Sequence, residues 1–273
     1  MTKNATLSIA IVSGKGGVGK TNIALNLAYA LYRAKQRVLL MDCDLGLANL
    51  DVLLGIAPKA SIEQVMLGEA SFEDTLVDVE PNGFSLLPAS SGIEVFSENA
   101  LSLRGNFLRQ LNAVAQTYDY LILDVGAGIT PTVQTFASRA TMRIVVVTPE
   151  PTSITDAYAL IKVLSAHHGI KDFYVLVNQA ETPKEEKDAF GRLAGACDKF
   201  LGISLHYLGY IRHDAGMLQA VRRQEPLLKF SPSSPAGRDL VAIAAKVHTR
   251  KESFTPNPDG PFSLHDPVRM ENS

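Results

Sequence analysis

The stretch Gly14-Lys15-Gly16-Gly17-Val18-Gly19-Lys20-Thr21 constrains the fold of this chain more than any other. The run Leu7-Ser8-Ile9-Ala10-Ile11-Val12 before it reads as a buried strand. Residues 22–34 after it place Ile23, Leu27 and Leu31 on one helical face. A G-x-x-x-x-G-K-[ST] loop between a strand and a helix is a phosphate cradle. The N–H groups of Gly16, Gly17, Val18 and Gly19 can curl round a polyphosphate because no bulky side chains intervene, and the helix that follows points its positive end at the same anion. Lys20 is then expected at the β- and γ-phosphates, and the Thr21 hydroxyl at Mg²⁺. The bland alternative, a glycine-rich turn, does not explain why strand and helix flank the motif in this order.

Two acidic sites follow at strand ends. Arg37-Val38-Leu39-Leu40-Met41 runs into Asp42-Cys43-Asp44, and residues two apart in an extended chain project to the same side, so both carboxylates can face one metal-phosphate site. A second run, Tyr118-Asp119-Tyr120-Leu121-Ile122-Leu123, ends in Asp124-Val125-Gly126-Ala127-Gly128. A single strand-terminal Asp is more often a turn or helix cap. Three of them beside a phosphate loop point to metal chemistry.

The run Lys15-Gly16-Gly17-Val18-Gly19-Lys20-Thr21 resembles the deviant Walker A loop of the MinD/ParA family of ATPases, and the resemblance extends from about Leu7 to Val247. The strings Asp44-Leu45-Gly46-Leu47-Ala48-Asn49-Leu50-Asp51 and Thr148-Pro149-Glu150-Pro151-Thr152-Ser153-Ile154-Thr155-Asp156 are most similar to its FlhG/FleN branch of flagellar-number regulators. The resemblance implies ATP/ADP and Mg²⁺ as cofactors. It also implies that Lys15 reaches the phosphates of a partner subunit's ATP in a sandwich dimer. A cation delivered in trans in this way resembles an arginine finger, whose loss typically costs on the order of 10³ to 10⁵ in turnover.

By the same resemblance, Asp44 on switch I positions the attacking water and Asp42 belongs to the magnesium shell. Asp124 closes Walker B and holds Mg²⁺ through water, while the glycines up to Gly128 in switch II let backbone approach the γ-phosphate. Asn178 matches an adenine-contacting Asn, and the backbone of Ile211-Arg212-His213-Asp214 lies against the base, with Arg212 where relatives usually carry Pro. Glu150 and Asp156 fall at the dimer edge of relatives; as acids near a helix start they are equally explained by the helix dipole. The implied partners are a second copy of the chain, the FlhF GTPase, and a FleQ-type transcriptional activator or a flagellar C-ring protein. Residues Met1 to Thr6 leave no room for the N-terminal arm by which many relatives stimulate FlhF, so that stimulation is not expected.

Composition narrows the field. The chain has 273 residues, 46% hydrophobic and 20% charged, which supports one well-cored α/β domain. With 26 basic and 28 acidic residues the net charge is −2, so no global positive field recruits nucleic acid. Cys43 and Cys197 form no C-x-x-C pair, which fits a cytosolic protein and argues against the iron–sulfur relatives that bridge a cluster between subunits. Cys43 is expected to pack as a small apolar side chain. No run of about eighteen apolar residues exists to span a bilayer.

Val/Ile/Leu-rich runs near residues 7–12, 37–42, 84–88, 119–124, 143–148, 173–177 and 205–211 alternate with helical patterns. They predict an α/β, doubly wound, mostly parallel sheet of seven or eight strands with helices on both faces; the resemblance implies that this is a MinD-like P-loop NTPase domain over residues 1–250. The ligand then lies beyond the carboxyl ends of the strands. Helices are expected at 98–116, with Leu101, Leu108, Leu111 and Ala115 inward, and from about Thr152, with Ile154, Tyr158, Ile161 and Leu164 inward. The stripe Leu240, Val241, Ile243, Ala244 and Val247 is expected to cover the sheet rather than enter lipid. Residues 251–273, broken by Pro256, Pro258, Pro261 and Pro267, read as a disordered tail. The expected protein is a cytoplasmic Mg-ATP-dependent dimerisation switch with slow hydrolysis, with peripheral contact at the inner face of the membrane left open. The alternatives are a ParA- or MinD-type positioning ATPase and an ATP-dependent biosynthetic synthetase.

Overall fold

A computed structural model describes residues 6–44, 49–60, 62–89, 101–254 and 261. Eight strands form one sheet: β1 (Leu7–Ser13), β2 (Val38–Cys43), β3 (Val77–Glu80), β4 (Phe84–Leu87), β5 (Tyr120–Ala127), β6 (Met142–Val147), β7 (Tyr174–Ala180) and β8 (His206–Arg212). Their order is β3-β4-β2-β5-β1-β6-β7-β8, and every neighbouring pair is parallel except β3 with β4. The doubly wound expectation therefore holds, with eight strands rather than seven. β3 gave no apolar run because Val77-Asp78-Val79-Glu80 alternates at an antiparallel edge, where one face is open to water.

The period of two sends successive strand residues to opposite faces. In β1, Ala10 and Val12 enter one apolar layer, the first, and Leu7, Ile9 and Ile11 the other, the second; in β5, Leu121 and Leu123 part from Tyr120 and Ile122 in the same way. The first layer is closed by α5 (Leu101–Ala115), α6 (Pro131–Arg139), α7 (Pro151–His168) and α8 (Pro183–Leu201). The second is closed by α1 (Lys20–Arg33), α10 (Leu227–Phe230) and α11 (Pro235–Lys251). The short helices α2 (Leu50–Leu54), α3 (Ile62–Leu67), α4 (Phe72–Thr75) and α9 (Ala215–Arg223) lie on the connections. Each fully buried Leu, Ile or Phe contributes roughly 1.5–3 kcal/mol, so two filled layers explain why the six strands between the edges β3 and β8 read as apolar runs.

Phe107, Leu108, Leu111 and Ala115 of α5 are buried, as are Ile154, Ile161 and Leu164 of α7, with Tyr158 packed partly buried beside them. On α11, Leu240, Ile243, Ala244 and Val247 face the sheet, but Val241 is 51% exposed, one position off the stripe it was expected to join. The tail expected from residue 251 begins inside packed structure: Lys251 closes α11, and the Phe254 ring lies 6.4 Å from that of Tyr174. Residues 255–260 and 262–273 lie outside the described residues, as do residues 45–48 of the string after Asp44 and the start of the helix expected at 98.

Candidate functional site

The loop from β1 to α1 is shaped by two close approaches. A Cβ on Gly14 would fall 2.1 Å from the backbone carbonyl of Asp156 in α7, so only glycine lets strand and helix touch there. Gly17 and Gly19 hold φ of 78° and 89°, the left-handed region that glycine enters without strain. A Cβ on Gly16 or Gly17 would meet nothing within 4 Å, whereas one on Gly19 would sit 2.5 Å from Asn178 Nδ2. That Asn178 amide, at the end of β7, donates to the Val18 carbonyl at 2.7 Å and braces the loop from outside. The first turn of α1 has no acidic residue and no side-chain cap, so its N–H groups are free for an anion.

Lys20 lies inside this loop. It is 8% exposed and donates to Ser13 Oγ at 2.9 Å, and Ser13 Oγ in turn donates to the Lys15 carbonyl at 2.6 Å. Burial lowers the Lys20 pKa, and the carboxylates of Asp124 and Asp44 oppose that shift. Lys15 lies elsewhere. Its ammonium contacts Glu150 Oε2 at 2.5 Å and Thr152 Oγ1 at 3.1 Å on the rim formed by the start of α7.

Sheet pairing brings the acids together. Asp42 and Asp124 are register partners on adjacent β2 and β5, and both are almost fully buried. Burial first, then the Asp42 charge, pushes Asp124 up to about 7, against the Thr21 hydroxyl bond and the Lys20 charge. Burial pushes Asp42 to about 6, although three backbone N–H groups hold its anion. Those donors are Asp44 at 2.9 Å, Asn49 at 3.0 Å and Leu50 at 3.2 Å, so Asp42 also pins the chain that leads into α2. The Asp44 carboxylate stands over Gly126, about 3.5 Å from where a Cβ would be. Gly128, at φ 89°, donates its N–H to Ser13 O at 2.9 Å and so joins the loop after β5 to the end of β1.

A cleft of about 400 Å³ opens beside Gly19, lined by Asn178, Gln179, Arg212, Asp214, Met217 and Leu218 among others. Ile211 packs its side chain into the second layer at the inner wall of the cleft. The Arg212 guanidinium, at the cleft wall, forks onto Asp239 at 2.8 and 2.7 Å. Asp214 caps α9, accepting from Gly216 at 2.8 Å and Ala236 at 3.1 Å. Partial burial raises its pKa, but those N–H bonds outweigh it and hold the carboxyl below the usual range.

A family model described as an AAA domain matches residues 6–173. In the solved MinC:MinD cell division complex of Aquifex aeolicus, the matching chain is 27% identical with a TM-score of 0.73, over 89% of this chain and 96% of that one. The chain belongs to the MinD/ParA family of ATPases. Within that family, the antiactivator FleN of Pseudomonas aeruginosa is 41% identical over 239 residues, 88% of this chain and 85% of that protein. The flagellum site-determining protein YlxH of Helicobacter pylori is 36% identical over 253 residues, 92% and 85% respectively.

For a MinD/ParA ATPase the acidic cluster has a direct use. Asp124 Oδ1 is buried with no hydrogen-bond partner, and the Thr21 hydroxyl bonds the same carboxylate. This donor set fits Mg²⁺, a hard cation that uses one or two carboxylates together with substrate phosphates. Ser13, which holds Lys20, was not legible as a site residue, and Glu150, expected at the dimer edge, was not legible as the group that with Thr152 holds Lys15. A hydroxyl before a P-loop carries no motif, and residue 150 meets residue 15 only because β6 lies beside β1. The Cys43 thiol lies in the first layer as a small apolar group, and burial pushes its pKa up. Among the described residues, no helix is long and apolar enough to cross a membrane.

Proposed function

We propose that this ATPase is a Mg-ATP-dependent dimerisation switch with slow basal hydrolysis, acting in the cytoplasm to set flagellar number or placement. The observation that carries the reading is the separation of its two loop lysines. Lys20 is buried within its own loop, whereas Lys15 is held on the open rim by Glu150 and Thr152. A cation in that position is available to the triphosphate of a second copy. Among the described residues, three of the five exposed large apolar side chains, Val52, Ile129 and Leu218, belong to the segment after Asp44, the end of switch II and the wall of the cleft. Apolar groups around a charged site suit a surface that closes against another protein.

In this reading the loop N–H groups and Lys20 bind the triphosphate, and the cleft takes the adenine beside Asn178 and the backbone of Ile211 to Asp214. Mg²⁺, held by Thr21 and Asp124 with Asp42 behind them, would neutralise charge on the β- and γ-phosphates. Asp44 orients a water in line with the γ-phosphorus. A bond forms from that water to phosphorus as the bond to the bridging oxygen breaks, releasing ADP and phosphate. Lys15 from the opposite protomer stabilises the charge that develops. A protein partner would stimulate this slow reaction, with the FlhF GTPase, a FleQ-type activator and a C-ring protein as candidates.

The flagellar assignment is supported by the likeness to FleN and to YlxH, the second of which is named for flagellum site determination. Sizing the purified protein with ADP and with ATP tests the switch. A dimer is expected with ATP alone, more persistent in Asp44→Ala and weakened in Lys15→Ala; a monomer throughout rejects it. Counting flagella in a deletion strain complemented with wild type or Lys15→Ala tests the cellular role. Unchanged counts on deletion would transfer the switch to another positioning task.

A further inference from the structure

The short helix α2 is tied at both ends, and the ties lead to opposite sides of the nucleotide site. At its start, Asp42 Oδ2 accepts the N–H groups of Asn49 and Leu50. At its end, Gln224 Nε2 donates to Val52 O at 2.9 Å. A Cβ on Gly55, the C-cap of α2, would come within 2.8 Å of Gln224 Oε1, so the glutamine amide lies flush against the helix terminus. Gln224 is itself the C-cap of α9, which is N-capped by Asp214 and gives Met217, Leu218 and Val221 to the cleft beside Gly19. Met217, Leu54 and Ile56 all pack on the second apolar layer. One rigid element therefore reaches from the cleft to the helix that follows Asp44.

The backbone of Gln224 adds a second observation. Its φ is 55°, in the left-handed region where a helix usually ends on glycine. A glycine there would relieve the backbone but remove the amide that grips Val52. A side chain retained at a strained position points to a task.

We infer that Gln224 is a positioning residue that couples occupancy of the base cleft to the placement of α2, and through the Asp42 tie to the Asp44 carboxylate. The inference rests on the ATPase reading proposed above. When a base fills the cleft against Met217 and Leu218, α9 is fixed, and Gln224 passes that restraint to α2. A triphosphate without a base fills only the loop and leaves α9 without this support. The coupling has the size of one exposed amide–carbonyl hydrogen bond, about fivefold in rate.

The test compares ATP with inorganic tripolyphosphate, both with Mg²⁺, on the full chain. Turnover is measured together with amide hydrogen exchange over residues 49–56. In the wild type, ATP is expected to protect 49–56 more than tripolyphosphate does. Gln224→Ala should lower kcat for ATP about fivefold with KM within twofold, leave tripolyphosphate turnover unchanged, and abolish the extra protection. Gln224→Gly removes the same amide while easing the backbone, so it should show the same kinetic loss with a Tm no lower than wild type. Equal losses on both substrates, or no loss on ATP, would overturn the coupling. If the wild type hydrolyses neither compound, the ATPase reading falls. The exchange comparison still decides the coupling, because equal protection of 49–56 by the two ligands would refute it.

Discussion

At the scale of single residues, the site is a balance between buried charges. An unfolded aspartate titrates near 4, whereas Asp124 is pushed to about 7 and Asp42 to about 6. The folded protein without nucleotide therefore keeps protons that the unfolded chain has already released. Stability contributed by these two groups is fully present below about pH 4 and declines as the pH rises through about 6 and 7. Thermal melts in chelator at pH 5 and pH 8 should show this decline. Asp124→Asn, which keeps the shape without the charge, should flatten it and raise stability at pH 8 by on the order of 2 kcal/mol, while abolishing the response to Mg²⁺. A decline of equal depth in Asp124→Asn would place its source elsewhere. Lys15 gives a second prediction. Glu150→Ala removes its exposed partner, so stability should change by less than about 1 kcal/mol while the yield of ATP dimer changes; equilibrium melts and sizing with ATP check both halves.

At the scale of elements, the P-loop depends on what packs behind it. The Gly14 contact with Asp156 is backbone against backbone, so no rotamer change can make room for a methyl group. Gly14→Ala should destabilise the fold by about 3 kcal/mol, readable as a lower denaturation midpoint. Asn178→Ala leaves the Val18 carbonyl without its buried donor and should cost about 1–3 kcal/mol while also loosening nucleotide binding. Binding weakened with no change in stability would mean that Asn178 contacts only the base. The strand–loop–helix unit was legible because its residues are contiguous. The edge strand β3 and the short helices α2 to α4 were not, since alternating charge and four- to six-residue helices leave too little periodicity to read.

At the scale of the whole molecule, the carboxyl ends of β1, β2 and β5 lie side by side, so residues 20, 42 and 124 share one site. The same edge displays Ile129 and Leu218, and introducing a charge there, as Ile129→Asp or Leu218→Asp, should weaken the ATP dimer at least tenfold while leaving the monomer's melting within about 0.5 kcal/mol. Sedimentation with ATP would measure this, and an unaffected dimer would remove these side chains from the interface. The sequence by itself determined every strand of the sheet but β3, its two covered faces, the phosphate loop and the three aspartates, because strand period and motif spacing are local properties of the chain. Only the tertiary structure decided that Lys15 sits on Glu150, that Ser13 holds Lys20, that Asp42 pins the start of α2 and that Gln224 holds its end. The Lys15–Glu150 and Gln224–Val52 contacts join segments 135 and 172 residues apart, brought together by strand order and helix packing, while the Ser13–Lys20 and Asp42–Asn49 contacts close over seven residues through loop geometry that no motif specifies.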